Sequence, residues 1–423
     1  MRILFIHQNF PGQFRHLARA LSQRKDCQAI GLGCEGAPGM PGLPWYRYRL
    51  PRHDATRTHP YLRQMEQAVA HGQAVFHALS TMKRNGFVPD VVVAHPGWGE
   101  TLYLREVYPD TRLIHFCEWY YTGADQDFDP EFPSTPDDRA RVRTWNALHA
   151  MNLVNCDQGV SPTHWQRSQH PIDLRSKILV QHEGIDLTHL GPDAAASFVT
   201  PSGAVLRAGD PVVTFVARNL EPYRGFHRFM RALEALQQRN TRCQAVIVGG
   251  DEVSYGSRPK DAANWREKLL REVRLDPLRT HFTGKLPHTE YRKVLQISAA
   301  HVYLTYPFVL SWSMLEAMAC ACLVIGSRTP PVEEVLRCGD NGILVDFFDQ
   351  ESLVERVHQA VSSPRSFDPL RAQARMDALS EFSINDATSA YGKLMGLPDV
   401  IPPSKDLGRE SCAPHHKMTR CII

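Results

Sequence analysis

The sequence predicts an α/β protein with two Rossmann-like domains, each built on a doubly wound parallel sheet. Two blocks, residues 1–190 and 211–382, alternate short apolar runs with segments of helical period. The apolar runs are typical of strands buried on both faces of a parallel sheet. Residues 191–210, rich in Pro, Gly, Ala and Ser, separate the blocks as an expected linker. Such an arrangement predicts that the ligand-binding edges of the sheets face each other across a cleft.

Composition narrows the class of protein. The 423 residues are too many for one ordinary core but suit two domains. A net charge of only +3 argues against a nucleic-acid partner. The ten cysteines are scattered rather than arranged as a disulfide framework, which is typical of a reducing compartment. No apolar run reaches the roughly 18 residues that span a bilayer, and no signal peptide is evident, so we expect a cytoplasmic protein.

In the first block, each predicted strand is followed by a helical pattern. The predicted helices include one that begins after a Ser161 cap with Pro162 in the first position. The apolar runs predict strands over 3–6, 90–94, 112–116 and 177–180, and the helical patterns cover 14–21, 61–82 and 139–151.

The second block repeats this alternation. A helix over 383–397 is expected to pack back towards the first domain, and 398–423 has no period and is expected to be a disordered tail. Strands are predicted over 211–217, 243–248, 281–283, 300–304 and 323–325, and helices over 226–236, 265–273, 289–295 and 312–320.

The turn after the first strand, residues 7–13, is the first candidate site. Gly12 would let the backbone approach a ligand closely, and the start of the next helix attracts anions. The turn could line the cleft near the acceptor or the donor phosphates, or it could be a plain connection.

Two arginines, Arg218 and Arg224, lie where a strand ends and the next helix begins. Two guanidinium groups there could both point at one diphosphate and add to the field of the helix start. Solvated arginines are the alternative, but the position between strand and helix favours phosphate binding.

A third candidate is the helix that begins near Ser311. Its amides and the hydroxyls of Ser311 and Ser313 could hold phosphate oxygens. Glu316 follows in the second turn among apolar neighbours, where a carboxylate needs partners. The hydroxyls of a sugar or ribose would supply them, whereas the alternative is a glutamate on the solvent face.

The fourth candidate combines His115 and Glu118 with three aromatic residues after a strand of the first block. Aromatic rings bind sugar faces, and His or Glu side chains take part in proton transfer. A histidine satisfied within the core is the competing interpretation for His115.

Taken together, these segments resemble the family 4 glycosyltransferases, whose fold is called GT-B. The resemblance covers nearly all of residues 1–395. It is carried by an ordered set of motifs: Ile3 to Phe14, Glu183-Gly184-Ile185-Asp186, Arg218 to Gly225, Val248-Gly249-Gly250, Gly284-Lys285-Leu286-Pro287 and Leu315-Glu316-Ala317-Met318-Ala319.

The resemblance implies a role for each candidate residue. Arg218 and Arg224 would hold the donor diphosphate, with Arg224 standing where the family usually has Lys. Glu316 would hold the ribose, and His115 would lie near the transferred sugar. The remaining implied roles are donor binding for Gly250, Leu286, Ser311 and Ser313, and acceptor binding for Gly12 and Glu118.

One departure concerns the donor sugar. Phe308 occupies the position of the first Glu in the family's Glu-x7-Glu motif, and that Glu normally contacts the donor sugar. The resemblance therefore does not predict which sugar is transferred.

By this resemblance the protein is a retaining glycosyltransferase of hexosyltransferase type that moves a sugar from a nucleotide-diphosphate donor to a hydroxyl acceptor. A role in polysaccharide or glycoconjugate biosynthesis is expected, with a carbohydrate, lipid-linked or small-molecule acceptor. No Asp-x-Asp motif accompanies the candidate residues, so we expect transfer without a metal or other cofactor. Basic residues of the first helices suit either peripheral contact with the inner membrane face or a solvated surface.

Two alternatives remain open at this point. An epimerase or phosphorylase on a similar fold would act on the same donors. A non-catalytic sugar-nucleotide-binding or scaffold protein is favoured by Phe308 in place of Glu.

Overall fold

The computed structural model describes residues 1–51, 58–123, 125 and 127–397. The expected tail, 398–423, lies outside these residues. The chain divides into two compact units. Unit 1 comprises Met1–Gly184 and the segment that begins at Ile384, whereas unit 2 is Ile185–Ser383. Each unit contains an all-parallel sheet, which confirms the predicted fold class.

Unit 1 is built on a seven-stranded parallel sheet of order β3-β2-β1-β4-β5-β6-β7. The order reverses between β1 and β4, the place where such sheets bind ligands. Its strands are β1 (Arg2–Ile6), β2 (Gln28–Cys34), β3 (Trp45–Tyr48), β4 (Val91–Ala94), β5 (Arg112–Phe116), β6 (Gln158–Ser161) and β7 (Ile178–Val180).

Helices cover both faces of this sheet. Phe5 and Ile114 belong to the apolar core on one face, and Leu4 and Leu113 to the core on the other. The helices are α1 (Arg15–Ser22), α2 (Arg63–Arg84), α3 (Leu104–Val107), α4 (Pro136–Asn155) and α5 (His164–Ser168). The expected Ser161 cap was wrong: Ser161 ends β6, and the Thr163 hydroxyl caps α5 by accepting from the Gln166 amide at 3.0 Å.

Unit 2 contains a six-stranded parallel sheet of order β12-β11-β10-β13-β14-β15 and a two-stranded hairpin, β8-β9. The order of the large sheet reverses between β10 and β13. The strands are β8 (Ser197–Val199), β9 (Val205–Arg207), β10 (Val212–Asn219), β11 (Gln244–Gly250), β12 (Thr280–Gly284), β13 (Ala300–Tyr303), β14 (Val324–Ser327) and β15 (Ile343–Val345).

The helices of unit 2 pack on its large sheet, and one more helix follows in unit 1. They are α6 (Phe226–Arg239), α7 (Trp265–Glu272), α8 (His288–Gln296), α9 (Trp312–Ala319), α10 (Pro330–Glu333), α11 (Gln350–Ser362), α12 (Asp368–Glu381) and, in unit 1, α13 (Ile384–Leu394).

The segment 191–210 is not a bare linker. It contains the antiparallel β8-β9 hairpin, and Phe198 and Leu206 are buried in one apolar cluster with Val212 and Val246 of the large sheet. Apolar burial therefore joins these residues to unit 2, where the division of the chain also places them.

The helix α13 completes unit 1. Tyr391, Met395 and Leu397 are buried in the same core as Phe5 and Phe14. Gly184 has a φ of +78°, and a Cβ atom there would lie 2.6 Å from Ile384 Cα. Only glycine allows this close approach. Among the described residues, no helix is both long and apolar enough to cross a membrane.

Candidate functional site

Three polar side chains of unit 1 follow the strands at the reversal of its sheet. His7 follows β1, His95 follows β4 and Glu118 comes two residues after β5. Parallel strands present their carboxyl ends at one edge, so the three side chains meet there.

The backbone selects the same tautomer for both histidines. The Asn9 amide donates to His7 Nδ1 at 2.9 Å, and the Gly97 amide donates to His95 Nδ1 at 3.1 Å. A ring nitrogen that accepts carries no proton, so each neutral imidazole has its hydrogen on Nε2.

Hydrogen bonds lead from both histidines to the Glu118 carboxylate, directly from His95 and through Gln13 from His7. His7 Nε2 donates to Gln13 Oε1 at 2.7 Å, and Gln13 Nε2 donates to Glu118 Oε1 at 3.2 Å. His95 Nε2 donates to Glu118 Oε2 at 3.2 Å. Both oxygens of this carboxylate are therefore oriented by neighbouring donors.

The charge of Glu118 follows from these contacts. Burial by itself would raise the pKa of its carboxyl, but the hydrogen bond from His95, then the contacts with Gln13 and His7, outweigh burial and lower the pKa. Glu118 is therefore ionised at neutral pH, and its side chain is 32% exposed, so a ligand can reach it.

Close packing fixes the rings around this carboxylate. Gly12 has a φ of +50°, and a Cβ atom there would lie 2.4 Å from His7 Nε2. Trp98, partly exposed, stacks on His95 with 4.4 Å between ring centroids and also contacts the His7 ring. The edge thus carries an ionised carboxylate beside an aromatic surface.

His115 does not belong to this edge. It lies within β5, fully buried, and neither ring nitrogen has a hydrogen-bond partner among the described residues. Burial and the charge of His95 lower the pKa of His115 to about 3. The structure therefore corrects its expected placement at the strand end: its ring is a neutral part of the core.

In unit 2, Arg224 is buried next to the reversal between β10 and β13. Its Nη1 donates to Tyr303 Oη at 3.2 Å, to Thr305 Oγ1 at 3.0 Å and to the Val309 carbonyl at 2.9 Å. The guanidinium also lies 5.3 Å from the centre of the Tyr255 ring. Burial tends to lower the pKa of Arg224, but the tyrosines and Glu221 reverse the shift and raise it, so the cation persists.

The Tyr303 hydroxyl connects Arg224 to the start of α9. It accepts from the Ser311 amide at 2.8 Å, while the Ser311 hydroxyl caps the helix by accepting from the Ser313 amide at 3.3 Å. The Ser311 and Ser313 hydroxyls lie 3.0 Å apart. The expectation of free amides here was therefore wrong for Ser311 and Ser313, whose amides have protein partners, and the hydroxyls are the groups left to meet a ligand.

Glu316 lies further along α9 and is held on both sides. The Tyr291 hydroxyl donates to its Oε2 at 2.7 Å, and His288 Nε2 lies 3.7 Å from its Oε1. The nearby Glu316 carboxylate raises the pKa of His288. With its side chain 15% exposed, Glu316 is not a freely solvated residue, yet it has lone pairs for a further donor.

The other three residues predicted to bind the donor are not connected to Arg224 by contacts of this kind. Arg218 is exposed, and its charge contributes, after Lys285, to a lowered pKa of Glu252. Gly250 ends β11, where a Cβ atom would lie 2.5 Å from Lys285 Cε. Leu286 is half-buried and packs against the apolar cores. The contacts tie Arg224 to Ser311 and Ser313, but not to these three residues.

Two features of unit 2 were not predicted from the sequence. The Glu221 carboxylate is completely buried and accepts from the amides of Ser254, Tyr255 and Gly256, which fixes the loop that carries Tyr255. Phe308, at 5% exposure, packs against the rings of Tyr223 and Tyr255. An aromatic surface therefore stands where the resemblance would have a carboxylate.

Two protein families match the sequence, and their matches together cover most of its length. Residues 21–190 match "Glycosyl transferase family 4 group", and residues 202–378 match "Glycosyl transferases group 1". No curated protein matches the sequence.

Several solved structures share the fold at low sequence identity. Sucrose-phosphate synthase from Thermosynechococcus elongatus is 18% identical, with a TM-score of 0.70 over 93% of this chain and 98% of its own. Anabaena HepE in complex with UDP-glucose is 14% identical, with a TM-score of 0.67 over 94% of this chain and 99% of its own. A glycosyltransferase from Rickettsia africae is 13% identical, with a TM-score of 0.63 over 93% and 97%.

Proposed function

Because the chain belongs to the family 4 glycosyltransferases of the GT-B fold, we propose that it transfers a hexose with retention of anomeric configuration. The donor is a nucleoside-diphosphate sugar held by unit 2. The acceptor is a carbohydrate hydroxyl that binds at the sheet edge of unit 1 formed by His7, His95 and Glu118, the Glu118 edge. We place the reaction in polysaccharide or glycoconjugate biosynthesis in the cytoplasm.

The observation that carries this proposal is the burial of Arg224 among uncharged acceptors. Its three hydrogen-bond acceptors are two hydroxyls and a carbonyl, and the Glu221 carboxylate nearby is engaged by amides. A buried cation is costly without a counter-charge. The Glu221 carboxylate supplies charge nearby, but its oxygens are occupied by three amides. A diphosphate at this edge would add negative charge in direct contact with the guanidinium, and the cation would in turn stabilise the diphosphate as it departs.

The groups around Arg224 complete the donor site. The Ser311 and Ser313 hydroxyls offer hydrogen bonds to phosphate oxygens, and exposed Arg218 adds a second cation. Glu316, already oriented by Tyr291 and His288, accepts from the ribose hydroxyls. Because arginines supply the positive charge, the proposed transfer uses neither a metal nor another cofactor.

On the acceptor side, the tautomers of His7 and His95 determine which group can accept a proton. His7 and His95 present N–H donors at Nε2, so Glu118 is the group that can accept a proton or a hydrogen bond from the acceptor hydroxyl. Trp98 offers an aromatic face for a sugar ring. Positioning the hydroxyl in this way removes much of the entropic barrier to its attack.

A thermal-shift screen of nucleotide sugars, followed by NMR of the products, tests the proposal. A ligand at 100 times its Kd should stabilise the folded protein by about 2.7 kcal/mol. The selected donor should then yield a product with unchanged anomeric configuration. Binding without transfer or hydrolysis would instead indicate a binding protein, and an isomerised free donor would indicate an epimerase. The same screen is carried out on Arg224→Met, and Arg242→Met, at an exposed turn, serves as its control.

A further inference from the structure

A second cluster of ionisable groups lies buried behind the Glu118 edge. Tyr48 Oη donates to Glu100 Oε1 at 3.0 Å and lies 2.8 Å from His71 Nδ1. Glu100 is completely buried, and His71 and Tyr48 are 1% and 2% exposed. The three residues come from different parts of the fold: Tyr48 ends β3, His71 belongs to α2 and Glu100 lies between β4 and α3.

This cluster is costly to bury. Glu100 Oε2 and His71 Nε2 have no hydrogen-bond partner among the described residues. Unsatisfied buried polar atoms are rare in native proteins and need a reason. Replacement of buried ionisable groups by apolar residues of similar size is often neutral or stabilising, so stability alone does not explain the cluster.

Glu100 lies in the loop between β4 and α3, residues 95–103, which also carries His95 and Trp98. The loop is pressed directly onto α2: a Cβ atom on Gly99 would lie 2.2 Å from the Ala68 carbonyl oxygen. A Cβ atom on Gly72 would lie 2.9 Å from the Gly99 carbonyl oxygen. This approach brings Glu100 to His71, so the buried cluster anchors the middle of the loop, close to Trp98 and a few residues after His95.

We infer that Glu100, held by Tyr48 and His71, is a positioning residue that fixes the loop so that His95 and Trp98 present one constant surface to the acceptor. The inference rests on the proposed function and extends it to residues that do not touch the substrate. The stacking of Trp98 on His95, and the bond from His95 to Glu118, depend on this anchor.

The charge of the anchor changes near neutral pH. Burial raises the pKa of Glu100 to about 7, only partly offset by the Tyr48 hydroxyl, His95 and nearby backbone amides. Burial also lowers the pKa of His71 to about 4, so His71 stays neutral in this range. Besides these members, the titratable groups that face the cluster are His95, beside Glu100, and Cys34 of β2, beside Tyr48. Glu100 is therefore the group of the cluster that titrates between pH 6 and 8.

The test compares Glu100→Gln, Tyr48→Phe and the exposed control Glu106→Gln in the full-length protein labelled with 5-fluorotryptophan. The Trp98 resonance is assigned with Trp98→Phe. We expect both cluster variants to raise the KM for the acceptor about tenfold with an unchanged KM for the donor, since small displacements of positioning groups have such effects. The Trp98 resonance should shift in both cluster variants but not in Glu106→Gln, and its change between pH 6 and 8 should be smaller in Glu100→Gln than in the wild type.

Two outcomes would overturn the inference. One is an unchanged acceptor KM in folded Glu100→Gln and Tyr48→Phe. The other is a Trp98 resonance that neither shifts in these variants nor titrates in the wild type. If the wild type transfers no sugar, the proposed function fails, whereas the Trp98 resonance still decides the positioning role. If Glu100→Gln does not fold, Tyr48→Phe, which keeps the ring, supplies the acceptor KM and the shift of the Trp98 resonance.

Discussion

Units 1 and 2 share a sheet order but place opposite charges at the corresponding edge. In unit 1 the reversal between β1 and β4 collects two imidazoles and the ionised carboxylate of Glu118. In unit 2 the reversal between β10 and β13 collects the Arg224 guanidinium, two serine hydroxyls and Tyr303. One backbone plan thus places a carboxylate at the edge of one sheet and a guanidinium at the edge of the other.

The difference shows which part of such a fold carries function. The strands only bring their carboxyl ends together, and the few residues that follow them decide the chemistry. A substitution at the Glu118 edge should therefore leave donor binding intact, and a substitution at the Arg224 edge should leave the proposed activation of the acceptor intact.

The largest expected effect is on transfer in Glu118→Gln. Loss of the proton acceptor should lower kcat/KM by about 10²- to 10⁴-fold. Affinity for the donor nucleotide, measured by calorimetry, should stay within about twofold, with Glu106→Gln as control. Equal loss of nucleotide affinity would break the proposed separation of the two edges.

Arg224→Met should act on the other edge. Without a charge-assisted contact to the diphosphate, nucleotide affinity should fall about 10- to 100-fold. The Tm should also fall, because Tyr303 and Thr305 lose their shared partner. Calorimetry with the donor nucleotide and a thermal melt measure the two effects, while Arg242→Met should show neither. Unchanged affinity would remove the main support for the donor site.

Gly12→Ala should have a smaller effect, confined to the acceptor edge. The added methyl group would meet the His7 ring and disturb the contacts from His7 through Gln13 to Glu118. We expect an acceptor KM about tenfold higher, from steady-state kinetics, with donor binding unchanged. Gly42→Ala is the matched control, since Gly42 also has a positive φ but an open surrounding. Similar kinetics in both variants would contradict the predicted role of the His7 contacts.

His115→Leu should leave transfer at pH 8 within about twofold, since His115 is a core residue. Its pKa is about 3 in the folded protein against 6.5 for the free side chain. The stability that depends on the neutral ring is complete above pH 6.5 and is lost as the pH falls towards 3. At pH 5 the wild type should therefore have lost about 2 kcal/mol that His115→Leu retains. Urea unfolding at pH 8 and pH 5 measures this, and a large loss of transfer at pH 8 would return His115 to the active site.

Much of the fold could be predicted because parallel strands buried on both faces are continuous apolar runs. Strand β5 was predicted with its exact ends, and β1 and β4 within one residue. Strands β2, β3 and β6 were missed, because glycines interrupt β2 and β6 and the aromatic and charged residues of β3 hide any apolar run. Continuous apolar runs identify strands wherever they lie in the sheet, including β7 at its edge, but not the strands whose environment comes from tertiary packing.

The candidate site could be predicted only where its residues follow one another along the chain. Arg224, Ser311 and Glu316 stand in local patterns, whereas Tyr303 joins two of them only in three dimensions. His95 was missed, because its partner Glu118 is 23 residues away and no local spacing links them. Glu100, His71 and Tyr48 were missed for the same reason.

The return of the chain to unit 1 has a consequence for biosynthesis. The core that contains Phe5 and Phe14 is completed only by Tyr391, Met395 and Leu397 of the last described segment. On the ribosome, all of Ile185–Ser383 is translated before that segment emerges. Nascent chains usually fold from the N-terminal domain onward. Here the second unit in sequence can close first, while the first waits for α13 with apolar surface uncovered, and so it is the first unit that would depend on chaperones during translation.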